Sequence, residues 1–159
     1  MSMSQAEWKI PPRIKVLEAL GAVADGRVHV VSSEEGRVVS STGERTYTVR
    51  FKKEENAIRS DDNGSVYRGY LGYPAIAFLM KIGELPYDER LANALRGIPW
   101  KRLNEQYKRY SLVMEDVFKR AQQHGVSREE LEAFIEKTID ILKRRRYKKL
   151  ETIQKTLFG

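Results

Sequence analysis

The chain has 159 residues, 41% hydrophobic and 32% charged, with a net charge of +7 and no cysteine. That length fits one compact domain with a real hydrophobic core, and the missing thiols exclude disulfide frameworks, a thiol nucleophile and any zinc site built on cysteine. With His29 and His124 the only histidines, a histidine-rich metal centre is excluded as well, and no metal or cofactor is expected.

The opening residues Met1-Ser2-Met3-Ser4-Gln5 lack the apolar core of a signal peptide, and the longest apolar run, Ala75 to Met80, is too short to span a bilayer. A cytoplasmic location without membrane insertion is therefore expected. Abundant Arg, Lys and Glu without cysteine also suits a thermophile.

Pro11-Pro12 ahead of Ile14, Leu17, Leu20 and Ala24 predicts a helix entered through proline and stopped at Asp25-Gly26. The period then changes to two. Tyr47, Val49 and Phe51 alternate with Thr48, Arg50 and Lys52, and β-rich pieces are predicted at 27–33, 37–41, 44–53, 56–61 and 65–70. Turns are expected at Glu35-Gly36, Thr42-Gly43 and Asn63-Gly64, the last a hairpin signal because both residues tolerate positive φ. The natural outcome is an antiparallel meander.

After Tyr70 the pattern is helical. Pro74 opens a helix whose Ile76, Phe78, Leu79 and Met80 make it apolar on nearly every side, hence central and buried. Leu91 and Leu95 mark a short helix ended by Gly97; Pro99 opens another with Trp100, Leu103 and Tyr107 on one face; Leu112, Val113, Val117 and Ala121 mark a fourth ending at His124-Gly125. Ser127-Arg128-Glu129-Glu130 reads as a capping box. From there Leu131, Ile135, Ile139, Leu142, Ile153 and Leu157 keep one stripe, which predicts a single long helix over 127–158. The expected whole is an α+β domain over 1–159: a helix and small sheet (8–70), a bundle part (71–126) and that last helix.

Charge is placed unevenly. Between Lys143 and Lys155 lie Lys143, Arg144, Arg145, Arg146, Lys148, Lys149 and Lys155 against Glu151 alone, a balance of +6 that leaves +1 for all the rest. Phosphate neutralisation by Lys143, Arg144, Arg145, Arg146, Lys148 and Lys149 is the functional chemistry such a run supports. A second patch, Lys101, Arg102, Lys108 and Arg109, belongs to a segment (Tyr87–Tyr110) that reads as a helix-turn-helix, although any helical hairpin exposes such residues. The stretch 58–73 joins Arg59, Asp61, Asp62, Tyr67 and Arg68 as residues for a small polar pocket, or for tyrosines on which bases stack. Turn geometry explains the same composition.

The leading expectation is a non-enzymatic protein associated with DNA or RNA through the basic last helix. The rival is an interaction module or homodimer, with Leu150, Ile153 and Leu157 as its seam. A third reading is a small enzyme centred on the 58–73 pocket.

Overall fold

The computed structural model describes residues 6–151. The prolines lead into α1 (Ile14–Ala24), which ends at Asp25 and at Gly26 with φ of +71°. Val16, Ala19 and Ala22 are buried along with the predicted Ile14, Leu17 and Leu20, so α1 is enclosed on more than one face.

The meander follows as β1 (Val28–Ser32), β2 (Glu35–Val39), β3 (Thr46–Lys52) and β4 (Ala57–Ser60), paired antiparallel in chain order. In β3 the alternation has its physical outcome: Val49 and Phe51 are buried and Arg50 is exposed. β2 begins two residues earlier than expected, because Gly36 is a packing residue and not a turn residue. A Cβ at Gly36 would collide with the ring of Phe78, so its absence lets a helix lie close on the sheet.

Residues 65–70 form no strand, and Asn63-Gly64 forms no hairpin turn. Gly64–Arg68 is instead a single π-helical turn closed by Gly69 at φ +74°. Asp62 is the cause. Its buried carboxylate accepts from the hydroxyls of Ser60 and Ser65, each at 2.7 Å, and from the Ser65 backbone N–H at 3.2 Å. Side-chain bonds of this kind offer the backbone an alternative to a strand ladder.

Every residue of α2 (Tyr73–Lys81) from Pro74 to Met80 is buried, as its all-round apolarity requires. It lies on the sheet, and α1 packs along it. Next come α3 (Glu89–Ala94), α4 (Trp100–Tyr107) and α5 (Tyr110–Gln123). The capping box opens α6 (Arg128–Arg145): the Glu130 N–H donates to Ser127 Oγ and the Ser127 N–H to Glu130 Oε2, both at 3.1 Å. The fold is α+β. No helix among the described residues is long and apolar enough to cross a membrane.

The expected helix over 127–158 is corrected. It stops at Arg145; Arg146 turns the chain in the left-handed region (φ 53°, ψ 54°), and Lys148–Lys149 joins the sheet as β5, parallel to β4. A non-glycine residue in that conformation costs about 1–2 kcal/mol. Two anchors offset it: Tyr147 and Leu150 are buried, each worth on the order of 2 kcal/mol by area. Tyr147 meets Phe51 edge-on at 6.2 Å. Backbone groups are satisfied too, by Lys148 N–H to Asn56 O (2.9 Å), Leu150 N–H to Ile58 O (3.1 Å) and Asn56 Nδ2 to the Arg145 carbonyl at the helix end (2.7 Å). Of the proposed dimer seam, Leu150 is used inside the chain, while Ile153 and Leu157 lie outside the described residues.

Candidate functional site

The basic run does not stand clear of the body. Arg145 donates to Tyr147 Oη at 2.9 Å and lies 3.5 Å from Glu84; Arg146 lies 2.9 Å from Glu7. Lys149 Nζ sits 4.9 Å from the centre of the Trp8 ring, a cation–π contact. Lys148 and Lys149 are half-buried in β5, and Lys143 and Arg144 remain exposed. In the second patch, Lys101 reaches Glu44 at 3.6 Å, Arg102 is exposed, and Lys108 and Arg109 form the tight α4–α5 joint, Lys108 with φ of +58°.

The residues singled out in 58–73 do not converge. Arg59 donates to the Leu150 carbonyl at 3.0 Å, Asp61 accepts the Thr48 N–H at 2.9 Å, and Asp62 holds the π-helical turn. Tyr67 is 79% exposed, and Arg68 is exposed beside it. Each acidic group there secures backbone.

A cleft of about 450 Å³ opens elsewhere, where α1, the β2–β3 loop, the start of α2 and α4 meet. Its lining includes Glu18, Arg27, Arg45, Tyr47, Tyr73, Trp100, Lys101 and Asn104. Glu18 comes from α1, where it follows Ile14 by four positions and so falls on the apolar stripe; its side chain is 7% exposed. Burying a carboxylate is costly unless it is paired. Lys15, one turn earlier, provides that pair at 3.0 Å on Oε1.

Burial opposes the Lys15 ammonium, yet Glu18, with Tyr70 and Tyr110 nearby, holds its pKa above the usual lysine value. The ammonium also lies 5.1 Å from the Tyr110 ring centre. Burial pushes Tyr73 up to about 12 and raises Tyr47 as well; these two rings pack edge to face at 6.2 Å. Arg27 is fixed on the same wall by Val39 O at 2.7 Å and Asp25 Oδ2 at 3.4 Å. The other Asp25 oxygen accepts the Gly97 N–H at 2.8 Å, tying the end of α1 to the approach to α4.

On the α4 wall, Trp100 is 3% exposed and its indole packs against Gly21 of α1 so closely that a Cβ there would lie 3.0 Å from Nε1. Trp100 Nε1 and Asn104 Oδ1 are both buried without a hydrogen-bond partner. Buried polar atoms are nearly always paired, and an unmet one costs about 1–3 kcal/mol. The cleft itself, with a buried carboxylate, two tyrosine rings and paired charges in its lining, is the candidate site among the described residues.

Sequence reasoning placed Trp100 in the core and Lys101 on a basic patch, and passed over Glu18 altogether. A glutamate at a core spacing of the first helix was the available signal. Among the described residues no group of His, Cys, Asp and Glu is arranged to hold a metal ion.

The chain belongs to the family described as "Uncharacterised conserved protein UCP014422", whose model matches residues 8–148 and so takes in both the cleft and the β5 turn. No curated protein and no solved structure matches the chain.

Proposed function

We propose that the protein binds a small polar molecule in the cleft between α1 and α4, without a chemical step of its own. The observation that carries this reading is a cavity of about 450 Å³ whose lining combines the Tyr47 and Tyr73 rings with Glu18, Arg27, Arg45 and Lys101. Ligand cavities span about 300–1,000 Å³ and orient their ligands with a few polar groups of this kind. Four of the charged lining residues are already paired, Glu18 with Lys15, Arg27 with Asp25, and Lys101 with Glu44, which suits recognition better than proton abstraction.

A thermal-shift screen of small polar metabolites tests it. A true ligand at a hundredfold its Kd adds about 2.7 kcal/mol of stability, and Arg45→Ala or Lys101→Ala, at charged lining residues, should diminish the shift. If no such molecule raises the melting temperature, the reading fails.

A second reading, contact with nucleic-acid phosphates, has its own support. Lys143 and Arg144 are exposed in the last turn of α6 with no acid paired to them among the described residues, and Lys149 Nζ lies 3.6 Å from where a Cβ on Gly69 would stand, beside exposed Tyr67 and Arg68. Cations flanking an exposed aromatic ring suit an unpaired strand. Titration with single-stranded and duplex oligonucleotides at rising salt decides this reading, since each lost duplex contact should reduce the log–log slope by about 0.9. Absence of binding at low salt, or binding unchanged when Lys143, Arg144, Lys148 and Lys149 become glutamine, removes it.

A further inference from the structure

We infer that the solvent side of the sheet binds the phosphate backbone of duplex nucleic acid without reading its sequence; this deepens the second reading above and rests on it. One side of the sheet is taken by α2, whose Phe78 lies against Gly36 and which covers the buried Val49, Phe51 and Ile58. Residues directly opposite in a ladder share a face, and a face recurs at every second residue. Arg37 stands opposite Thr48, two residues before Arg50; Arg50 stands opposite Arg59; Lys52 stands opposite Ala57, and Ala57 opposite Lys148. Arg37, Arg50, Lys52, Arg59 and Lys148 therefore belong to the side away from α2, where Glu35 is the one acid that the described strands contribute.

Ion pairs leave most of this charge free. Glu35 bonds Arg37 and reaches Arg50 only at 3.9 Å; Glu55, from the turn after β3, lies 3.9 Å from Lys52; Glu7, opposite Lys148, pairs with Arg146. Arg59 has no acidic partner among the described residues and donates to the Leu150 carbonyl. Like charges directly opposite across a ladder destabilise a sheet, so Arg50 against Arg59 is a cost that a bound anion would relieve. Neighbouring strands are about 4.8 Å apart and successive side chains on one face about 7 Å. Five cations spread over four strands thus match a row of phosphates better than one small anion.

The rest of the face sets the form of the partner. Thr46 and Thr48 offer hydroxyls to phosphate oxygens, and among the described strands this side carries no Phe, Tyr or Trp on which an unpaired base could stack. A duplex keeps its bases stacked within itself. At about 4.8 Å per strand the five-stranded face is wider than the major groove of about 12 Å, so its arginines meet backbone and not base edges.

Anisotropy titrations of the full chain at rising salt test the inference, with two duplexes of unrelated sequence, an unpaired strand and anionic lipid vesicles as separate arms. The two duplexes are expected to bind alike and more tightly than the strand. Arg37→Gln, Arg50→Gln and Arg59→Gln combined should reduce the log–log salt slope by about 0.9 for each arginine, and the same three positions changed to lysine should keep it. Arg50→Gln alone guards against a variant that merely unfolds: it removes the like-charge opposition, so the melting temperature should hold while the slope falls. If duplex binding survives the three glutamines and is lost with Lys143→Gln and Arg144→Gln, the inference fails while the phosphate reading stands. Absence of binding to any nucleic acid at low salt overturns both. Vesicle binding without duplex binding, a preference for one duplex sequence, or tighter binding of the unpaired strand overturns the inference.

Discussion

The two tryptophans sit in regions that treat the same chemical group in opposite ways. Trp8 lies beneath the basic segment, where its indole N–H donates to Ile58 O at 2.8 Å and its ring carries Lys149. Trp100 lies in the cleft between α1 and α4, equally enclosed, with its indole N–H unbonded. The region most conspicuous by charge has its polar groups largely matched inside the chain: Arg145 with Glu84, Arg146 with Glu7, the amides of Lys148 and Leu150 with Asn56 and Ile58. In the cleft the net charge balances and single atoms are left unmet. Charge density alone is a poor guide to a site, because ion pairs within a fold consume it.

The largest expected effect breaks the basic region. Tyr147→Ala removes a core side chain that meets Phe51, and a loss of about 3–5 kcal/mol is expected in urea denaturation, as for other large aromatic truncations. A loss below about 1 kcal/mol, the scale of an ordinary surface change, would mean that the segment is not anchored as described.

Next in size is a paired comparison. Trp8→Phe and Trp100→Phe remove similar volume, but the first breaks a formed hydrogen bond and leaves Ile58 O with the Leu150 N–H alone, while the second removes a donor that has no partner. Trp8→Phe should cost about 1–2 kcal/mol more than Trp100→Phe in the same denaturation series. Equal costs would erase the distinction between the two regions.

The cleft also predicts an alkaline signature. Tyr73 and Tyr70 are held near 12 by burial, whereas unfolded tyrosine ionises near about 10. Above that pH the unfolded chain releases protons that the folded chain retains, so stability falls as pH rises. Lys15, raised above its usual value, contributes with the same sign: its stabilisation is full below the unfolded lysine pKa and is lost as pH climbs through the folded one. Tyr73→Phe should make the decline between about pH 10 and 12 shallower, read as melting temperature against pH. An unchanged slope would contradict the burial of its hydroxyl.

The smallest effect is at the ion pairs. Arg146→Gln, at a side chain 70% exposed, should cost under about 1 kcal/mol and less at high salt. A larger cost would make the charges, and not Tyr147 and Leu150, the anchor of the turn.

Much of this fold was legible in residue order. The period-two run around Val49, the proline entries of α1, α2 and α4, and the Ser127 capping box are local signals, and the local structure follows them. What misled was settled at long range. Nothing near Arg146 marks a helix end, since the turn is stabilised by Phe51, Asn56 and Ile58, far earlier in the chain. Asn63-Gly64 carries a hairpin signature that Asp62 overrides through its serines. The cleft was least legible, because its lining comes from α1, the β2–β3 loop, α2 and α4, far apart in the chain, and its one local mark is a glutamate on an apolar face.

The most direct measurement is a two-dimensional proton–nitrogen spectrum of the ligand-free protein, with both indole resonances assigned through Trp8→Phe and Trp100→Phe. The Trp8 indole proton should resonate downfield, as a hydrogen-bonded proton does, and the Trp100 proton should resonate upfield of it. A Trp100 proton as far downfield as that of Trp8 would mean that its bond is already made, and the contrast between the two regions would fail.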